Sequence, residues 1–267
     1  MHDTGDMRRA SAAAQLVTLW IGPELTFLER ACLRSVIRHN HSVALYCYEP
    51  PAGVPDEVEL RDARAILPEG SIIRHRDGSP SLFSNRFRYE LQRQAMGVWI
   101  DCDLYFVAPL GEQPDCIMGD QGGGTINGAI LRLPPDCPML DALLALFEER
   151  SAPAWLSWRA RILARWRLLT QGRAGLSRMP WGSAGPEALT WLATSAGWAH
   201  KAQPPARFYP VPWTEADWIV DPDRPLDAMI EADTIAVHLW NERLRGLDLA
   251  GAPPGSFAAR LREEGGQ

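Results

Sequence analysis

Buried strands and amphipathic helices alternate along the first half of the chain. Residues 16–21, with Thr18 as the one polar residue, and residues 43–48 are apolar runs of strand length. Between them, apolar positions recur at helical spacing over residues 24–38, and Pro23 stands near the expected start of that helix. A strand, a helix and a second strand in this order are typical of a βαβ unit. The pattern therefore predicts an α/β fold with a Rossmann-like amino-terminal half.

A second helix is predicted to lead directly into a strand that ends in two carboxylates. Apolar residues recur at helical spacing from Leu82 to Met96, and Gly97 is expected to end this helix. Residues 98–100 then form a short apolar run rich in β-forming side chains, followed by Asp101-Cys102-Asp103. The carboxyl ends of strands in open α/β sheets face the ligand crevice, so we expect both carboxylates there.

The pair Asp101 and Asp103 suits a divalent cation. Neighbouring carboxylates repel each other unless a cation lies between them, and Mg²⁺ or Mn²⁺ with such oxygen ligands often bridges substrate phosphates. The alternative is that both residues only cap the following turn, because the motif is short. Arg88 precedes them on the helix, where its planar guanidinium can meet phosphate or sugar hydroxyls. A solvated surface arginine is the other interpretation of Arg88.

The remaining chain is predicted to surround this crevice. The segments 115–118 and 126–133 frame a glycine-rich loop, which lacks the order of a P-loop and is expected to be flexible beside the site. An edge-like strand is predicted at 207–213 and an apolar strand at 234–240. Helices are predicted at 137–150 and within 181–197, where the helix is expected to start at Gly185-Pro186. We expect one domain over 1–267, with loose tails at 1–14 and 255–267.

Composition excludes several classes of protein. The chain is 46% hydrophobic with a net charge of −6, which gives no indication of nucleic-acid binding. Five scattered cysteines without a CxxC pair argue against a zinc site or a disulfide framework and favour a reducing compartment. The amino terminus lacks the apolar stretch of a signal peptide, and no run of about 18 apolar residues is present to span a bilayer. We therefore expect a soluble cytoplasmic protein.

The segment 150–180 is a basic, tryptophan-rich insertion. From Arg150 to Arg178 it carries seven arginines and no acidic residue, with three tryptophans interleaved. Such segments suit anionic lipid surfaces, which would place the protein peripherally at the inner face of a membrane. The alternative is a helix packed on the domain, with solvated arginines and core tryptophans.

Residues 83–110, FSNRFRYELQRQAMGVWIDCDLYFVAPL, resemble the core of glycosyltransferase family 32, the DXD-containing sugar-binding group. They are more distantly similar to the glucosylating clostridial toxins. An arginine-bearing helix, a glycine and a DxD strand follow in this order in that group. Relatives often carry Asp where this chain has Asn85, and Gly-Gly where it has Met96-Gly97. The resemblance spans most of Leu16 to Asn241.

The resemblance implies a GT-A fold with a mixed, mostly parallel central sheet, and metal-dependent sugar transfer with retention of configuration. Asp101 and Asp103 would be catalytic, and Mn²⁺ or Mg²⁺ would be held by Asp103 and by His238 of a V-H-x-W element. A core histidine is the alternative for His238. The donor would be a nucleotide sugar, with UDP the expected nucleotide. The donor-binding residues would be Trp20, Ser84, Asn85, Arg88, Asp101 and Asn127.

The acceptor is expected to be a glycan or a lipid-linked molecule, in the synthesis of surface polysaccharide or another glycoconjugate. The alternative for Trp20 is that it is a core residue. The alternative for Asn127 and Asp120 is that they only form turns, which Asn and Asp favour. If the enzyme inverts, Asp120 is a candidate base. The acceptor side of the crevice would be formed by Asp120, Gly185, Pro186, Trp240 and Asn241.

Two other functions fit the same residues. A metal-dependent nucleotidyltransferase or nucleotide-sugar hydrolase would use the paired carboxylates on a phosphate. A non-catalytic protein that binds a sugar or a membrane surface would use the DxD sequence only as a turn. The order of Trp20, Arg88, the DxD pair, Gly185-Pro186 and His238 favours the transferase.

Overall fold

The computed structural model describes residues 15–76 and 78–266, so the predicted amino-terminal tail 1–14 lies outside the described residues. The strands are β1 (Leu16–Trp20), β2 (Val43–Cys47), β3 (Glu59–Asp62), β4 (Val98–Ile100), β5 (Leu104–Phe106), β6 (Ile117–Asp120), β7 (Ile126–Arg132) and β8 (Ala236–His238). The α-helices are α1 (Phe27–Arg38), α2 (Ser81–Arg93), α3 (Pro138–Ala145), α4 (Trp158–Gln171), α5 (Pro186–Ser195), α6 (Pro205–Phe208), α7 (Leu226–Met229), α8 (Asn241–Leu244) and α9 (Phe257–Gly265). Short 3₁₀ helices span Ala63–Ala65, Glu69–Ser71, Leu146–Glu148, Leu176–Arg178, Ala199–Lys201 and Trp213–Val220.

Six strands form one central sheet in the order β3-β2-β1-β4-β7-β6. Strand β1 pairs in parallel with β2 and β4, and β2 pairs in parallel with β3. Strand β7 runs antiparallel to both of its neighbours, β4 and β6, so it is the one strand of this sheet that points the other way. This mixed, mostly parallel sheet is consistent with a GT-A-like fold and confirms the predicted fold class.

The sheet has a topological switch point between β1 and β4. The chain leaves β1 towards β2 and β3, and then returns to place β4 on the opposite side of β1. Because β1 and β4 are parallel, their carboxyl ends lie at the same edge of the sheet. Ligands of open α/β sheets bind in the crevice at such a point. That edge carries Trp20 and Asp101.

Side chains on both faces of the sheet are buried. Along β2, Val43 and Leu45 join the apolar cluster that includes residues of α1 and α9, whereas Ala44 and Tyr46 join the cluster that includes residues of α2 and α3. This division follows from the alternation of side chains along a strand. Helices on both faces explain why the strands are continuous apolar runs in the sequence.

Strands β5 and β8 form a separate antiparallel ribbon next to the end of β4. In this ribbon Leu104 is paired with His238. The backbone N–H of Leu239 also donates to the carbonyl oxygen of Asp103 at 3.0 Å. The register therefore sets His238 beside the DxD sequence, although the two lie far apart along the chain.

Helix α2 ends at Arg93, so the prediction that Gly97 ends it was wrong. The chain turns at Ala95, which has a φ of 53°. Gly97 has a φ of 136°, and a Cβ there would lie 2.3 Å from the carbonyl oxygen of Gln15. Gly97 is therefore needed for the close approach of the chain before β4 to the chain before β1.

The prediction of a strand at 207–213 was also wrong. The chain forms the short helix α6 and a turn, and a 3₁₀ helix begins at Trp213. Four prolines in residues 204–212 lack the N–H donors that a sheet ladder needs, and Pro205 occupies the first turn of α6.

The carboxyl-terminal segment was predicted to be loose, but it forms helix α9. Phe257 and Leu261 are buried in the cluster shared with α1. Gly265 permits close packing, because a Cβ there would lie 2.1 Å from the carbonyl oxygen of Phe27. The helix is therefore part of the core layer over this face of the sheet.

The ends of other predicted elements also shift. Helix α1 begins at Phe27 behind a capping box formed by Thr26 and Glu29, rather than at Glu24. Helix α3 covers only the first part of the predicted helix 137–150. Helix α5, in contrast, begins at Pro186, which confirms the predicted start at Gly185-Pro186. Among the described residues, no helix is long and apolar enough to cross a bilayer.

Candidate active site

Three side chains able to bind a metal lie together at the switch point. Asp101 and Asp103 lie in the turn between β4 and β5, and His238 ends β8. One ligand atom from each residue lies within 4.8 Å of the other two. Carboxylate oxygens and imidazole nitrogens are both ligands of divalent metal ions in proteins. These residues form a possible divalent-metal group, which we call the DDH cluster.

Within the DDH cluster, Asp103 is held from two sides. Its Oδ1 lies 3.3 Å from Nε2 of His238, and its Oδ2 accepts a hydrogen bond of 2.9 Å from the backbone N–H of Asn241. Burial raises the pKa of the Asp103 carboxyl, but His238 and the Asn241 N–H outweigh it and leave the pKa below its ordinary value. These contacts therefore favour the ionised form of Asp103.

The other nitrogen of His238 has no hydrogen-bond partner. Its Nδ1 is buried, and no described residue offers it a donor or an acceptor. A buried polar atom without a partner is uncommon in folded proteins and marks a place where a ligand can bind. The imidazole packs at 4.1 Å between ring centroids against Trp240, which fixes its position.

Asp101 is held by different partners. Its Oδ1 accepts hydrogen bonds from Nη2 of Arg88 at 3.0 Å and from Nε1 of Trp99 at 2.8 Å. Trp99 reaches it because residues two apart on a strand face the same side. Burial and the Asp103 charge raise the pKa of the Asp101 carboxyl, and Arg88 opposes them. A cation beside both carboxylates would favour their ionised forms.

The guanidinium N–H groups of Arg88 donate to other groups of the protein. Its Nη1 donates to the carbonyl oxygen of Gly128, and its Nη2 also contacts the hydroxyl of Ser84 at 3.2 Å. The guanidinium lies 4.8 Å from the ring centroid of Trp99, and only 6% of the residue is exposed. A Cβ on Gly128 would lie 2.7 Å from Nη1, so a glycine leaves room for this arginine. Arg88 thus positions Asp101.

The chain takes an unusual conformation just after His238. Trp240 has φ 59° and ψ 51°, a left-handed conformation that is rare for a bulky residue. The next residue, Asn241, points its N–H at Asp103, and its side-chain amide donates to Glu29 at 2.8 Å. Glu29 is 1% exposed and also accepts from Thr26. The start of α1 is thereby tied to the DDH cluster.

A cavity of about 590 Å³ adjoins the DDH cluster. This volume lies within the range of small-molecule sites in proteins, which is roughly 300 to 1,000 Å³. Several residues predicted from the sequence line it besides the cluster itself: Asn85, Arg88, Asn127, Pro186, Trp240 and Asn241.

Four predicted residues lie outside the lining of this cavity. Trp20 is half-buried at the end of β1, and its Nε1 has no partner among the described residues. Ser84 contacts Arg88, and Gly185 is next to the amide of Asn85. The carboxylate of Asp120 accepts from the N–H groups of Gly122 and Gly124, at 2.7 and 3.1 Å, so Asp120 organises the glycine-rich loop.

Sequence reasoning missed other residues that line the cavity. Gln121 accepts from the Asn127 amide at 2.6 Å, and this orients the amide within the cavity wall. Trp181 and Trp213 line the cavity while 59% and 46% exposed, and Arg243 lies 4.9 Å from the Trp213 ring centroid. The available signal was that each tryptophan stands next to a proline or glycine that marks a turn. Glu242, His75, Ser81, Gly128 and Gly182 complete the lining.

No family model matches this chain, and no curated protein matches it. Among solved structures it is similar to one described as "PaToxG Glycosyltransferase", with 12% sequence identity and a TM-score of 0.40. That similarity covers 69% of this chain and 69% of the other. Membership of glycosyltransferase family 32 therefore stays a prediction from the motifs.

Proposed function

We propose that this protein is a metal-dependent glycosyltransferase that moves a sugar from a nucleotide sugar, with UDP as the expected nucleotide, to a glycan or lipid-linked acceptor. The observation that carries the proposal is the DDH cluster at the switch point, beside a cavity of about 590 Å³. The order of Trp20, Arg88, the DxD pair and His238 along the chain supports it further.

The donor set fits a divalent cation. Asp103 and His238 would hold Mn²⁺ or Mg²⁺, and Asp101 would contribute directly or through a water or the donor's ribose. When bound, such a cation neutralises the charge that develops on a diphosphate leaving group. The unpartnered Nδ1 of His238 is the observation that favours a ligand here. The lowered pKa of Asp103 is consistent with the ionised carboxylate that a metal ligand requires.

The protein's own residues would orient the donor. Arg88 and Trp99 hold Asp101, and the Asn241 N–H holds Asp103, so neither carboxylate needs to reorganise during the reaction. Asn85 and Asn127 line the cavity and offer amide groups to sugar hydroxyls. Trp20 would stack on the base beyond the described cavity.

Aromatic residues support an acceptor that contains sugars. Trp181, Trp213 and Trp240 line the same cavity, and their flat faces suit the apolar faces of sugar rings. Glu242 and Arg243 add polar groups on that side. A glycan or a lipid-linked sugar in surface polysaccharide or other glycoconjugate synthesis is the acceptor class that fits these groups.

We propose retention of configuration, as the motif resemblance implies. Asp120 is engaged in its loop and does not line the cavity, which argues against it as the base of an inverting enzyme. Among described residues, the acidic ones that line the cavity are Asp101, Asp103 and Glu242. Outside the DDH cluster, Glu242 is therefore the remaining carboxylate of the lining that could act as the base of an inverting enzyme.

A nucleotide-release assay tests the proposal. Purified protein would be incubated with UDP-glucose, UDP-galactose, UDP-N-acetylglucosamine and GDP-mannose in Mn²⁺, with and without a panel of p-nitrophenyl glycosides. Transfer predicts release that rises with one glycoside and yields an extended product, and that is lost in Asp103→Asn but kept in the exposed-site control Asp115→Asn. Rapid release that no glycoside changes would instead indicate a hydrolase. Absence of release from every donor would contradict the proposal.

A further inference from the structure

Helix α4 exposes an apolar face of unusual size. Among the large hydrophobic residues that are exposed in the described chain, five of nine lie on this one helix. They are Trp158 (62% exposed), Ile162 (56%), Leu163 (51%), Trp166 (56%) and Leu169 (87%). Exposed apolar patches of this kind on a folded domain mark surfaces that contact something else.

The spacing of these residues forms a stripe along the helix. Trp158, Ile162, Trp166 and Leu169 are four, four and three residues apart, so they share one face. The opposite face is anchored in the domain, because Ala164 is fully buried and Leu168 packs against the core. The helix therefore has a fixed inner face and an outer face without a described partner.

Arginines flank the apolar stripe. Arg159 and Arg165 are exposed on either side of it, and the whole stretch from Arg150 to Arg178 has seven arginines and no acidic residue. The complete chain, in contrast, carries a net charge of −6. This concentration of positive charge around tryptophan and leucine is complementary to a surface that is both anionic and apolar.

We infer that helix α4 docks on the surface of an anionic lipid bilayer. The helix would lie in the plane of the interface, with Trp158, Ile162, Trp166 and Leu169 among the upper acyl chains and the arginines at the headgroups. A protein partner would have to offer an equally long apolar groove lined with acidic groups, whereas an anionic bilayer offers both properties everywhere on its surface. This inference does not depend on the reaction proposed above.

The docking helix is tied to one wall of the candidate active site. Just before α4, Nε1 of Trp155 donates to the carbonyl oxygen of Ser183 at 2.8 Å, and its ring packs on Trp191 at 5.4 Å. Ser183 follows Trp181 and Gly182, which line the cavity. The lipid-facing helix and this wall are therefore neighbours in the structure.

Vesicle co-sedimentation tests the inference with the full chain. The probes are vesicles of phosphatidylcholine alone and of phosphatidylcholine with one third phosphatidylglycerol, at low and high salt. The variant is the double substitution Ile162→Gln with Leu169→Gln. The matched control is Leu60→Gln, which changes an exposed leucine (43%) on edge strand β3. Thermal unfolding checks that each variant is folded.

We expect binding to the phosphatidylglycerol vesicles that weakens at high salt, falls about tenfold or more in the double variant and is unchanged in Leu60→Gln. The inference is overturned if the wild type ignores anionic vesicles at low salt, or if the folded double variant binds as the wild type does. Light scattering supplies a further test. If the wild type is a dimer that does not bind vesicles, and the double variant is a monomer, the exposed face of α4 contacts a second copy of the chain instead.

Discussion

The backbone N–H of Asn241 donates a hydrogen bond of 2.9 Å to Oδ2 of Asp103. This contact joins the turn after β8 to the turn after β4, and it depends on the left-handed conformation of Trp240. The Asn241 side chain in turn donates to the buried Glu29. A carboxylate that would bind a metal is thus aligned by residues that would not touch the metal.

Replacing Asn241 with alanine tests this alignment. Asn241→Ala removes the side-chain bond to Glu29 and loosens the turn that presents the N–H to Asp103. We expect the protein to stay folded and Mn²⁺ to bind about tenfold more weakly, as is usual when a group that orients a ligand is lost. Mn²⁺ titration followed by electron paramagnetic resonance measures this. Arg245→Gln, an exposed change just after the same short helix, should leave affinity intact; equal affinity in both variants would refute the alignment.

Replacing Arg88 with glutamine tests the support of Asp101. Arg88→Gln leaves a largely buried carboxylate without its cation and the Gly128 carbonyl without its donor. We expect the free energy of unfolding to fall by about 3 kcal/mol, as when one partner of a buried ion pair is removed. Urea denaturation measures the change. The control, Arg86→Gln on the same helix, should change stability by less than about 0.5 kcal/mol.

A second substitution, at Asp101, should restore part of the stability that Arg88→Gln loses. Asp101→Asn combined with Arg88→Gln removes the unpaired charge, so the double variant should be more stable than Arg88→Gln alone. If the double variant is less stable than Arg88→Gln alone, Arg88 does not stabilise the fold by neutralising the charge of Asp101.

Replacing Gly128 with alanine tests the room left for Arg88. The new Cβ would lie 2.7 Å from Nη1 of Arg88 and 3.2 Å from Cδ1 of Leu189, so the guanidinium must move away from its carbonyl partner. We expect stability to fall by about 1 to 2 kcal/mol and nucleotide release to fall with it. Gly70→Ala is the control, because a Cβ there meets no atom within 4 Å. An active, fully stable Gly128→Ala would show that Arg88 tolerates displacement.

Helix α9 predicts a dependence of stability on pH. Glu264 accepts from Arg38, Arg260 and Tyr105 at 2.8 to 2.9 Å, and these partners outweigh burial and lower the pKa of its carboxyl. A carboxyl whose pKa is lower in the folded state stabilises the fold above its unfolded pKa. That contribution disappears as pH falls through the lower, folded value.

Glu264→Gln should therefore cost about 1 kcal/mol near neutral pH, since the network is partly exposed. The difference from wild type should shrink as pH falls below the ordinary pKa of a glutamate, and it should vanish once the pH is below the lowered pKa of Glu264 in the folded protein. Urea denaturation of both proteins across this range measures the difference, with the exposed neighbour variant Glu263→Gln as control. A gap that stays constant down to acid pH would contradict the role of the Glu264 charge.

Much of the sheet could be predicted because its signals are local. The apolar runs of β1, β2 and β4 and the periodicity of α1 lie within short windows of sequence. The DxD sequence follows a buried strand, and that position alone indicated a crevice. His238 could be associated with it only through the motif resemblance, because the pairing of β5 with β8 is not visible in either segment alone.

Other features depend on contacts that no local pattern reports. The left-handed Trp240, the bond from Asn241 to Asp103 and the pairing of Arg88 with Gly128 all join segments that are distant in sequence. Phe257 and Leu261 lie near a polar terminus, so the sequence predicted a loose tail there. The two residues are buried because α9 packs against α1, and the local sequence does not show that contact. The tryptophans at 181 and 213 border the cavity because two separate loops fold over the same crevice.

The most direct measurement is calorimetric titration of UDP, and then GDP, into the wild-type protein with Mn²⁺ and with EDTA. The account predicts binding of one nucleotide that requires Mn²⁺. It also predicts that binding is lost, or weakened by much more than about tenfold, in folded Asp103→Asn, and is kept in Asp115→Asn. If neither nucleotide binds the folded protein in Mn²⁺, or if Asp103→Asn binds as the wild type does, the DDH cluster is not the donor site.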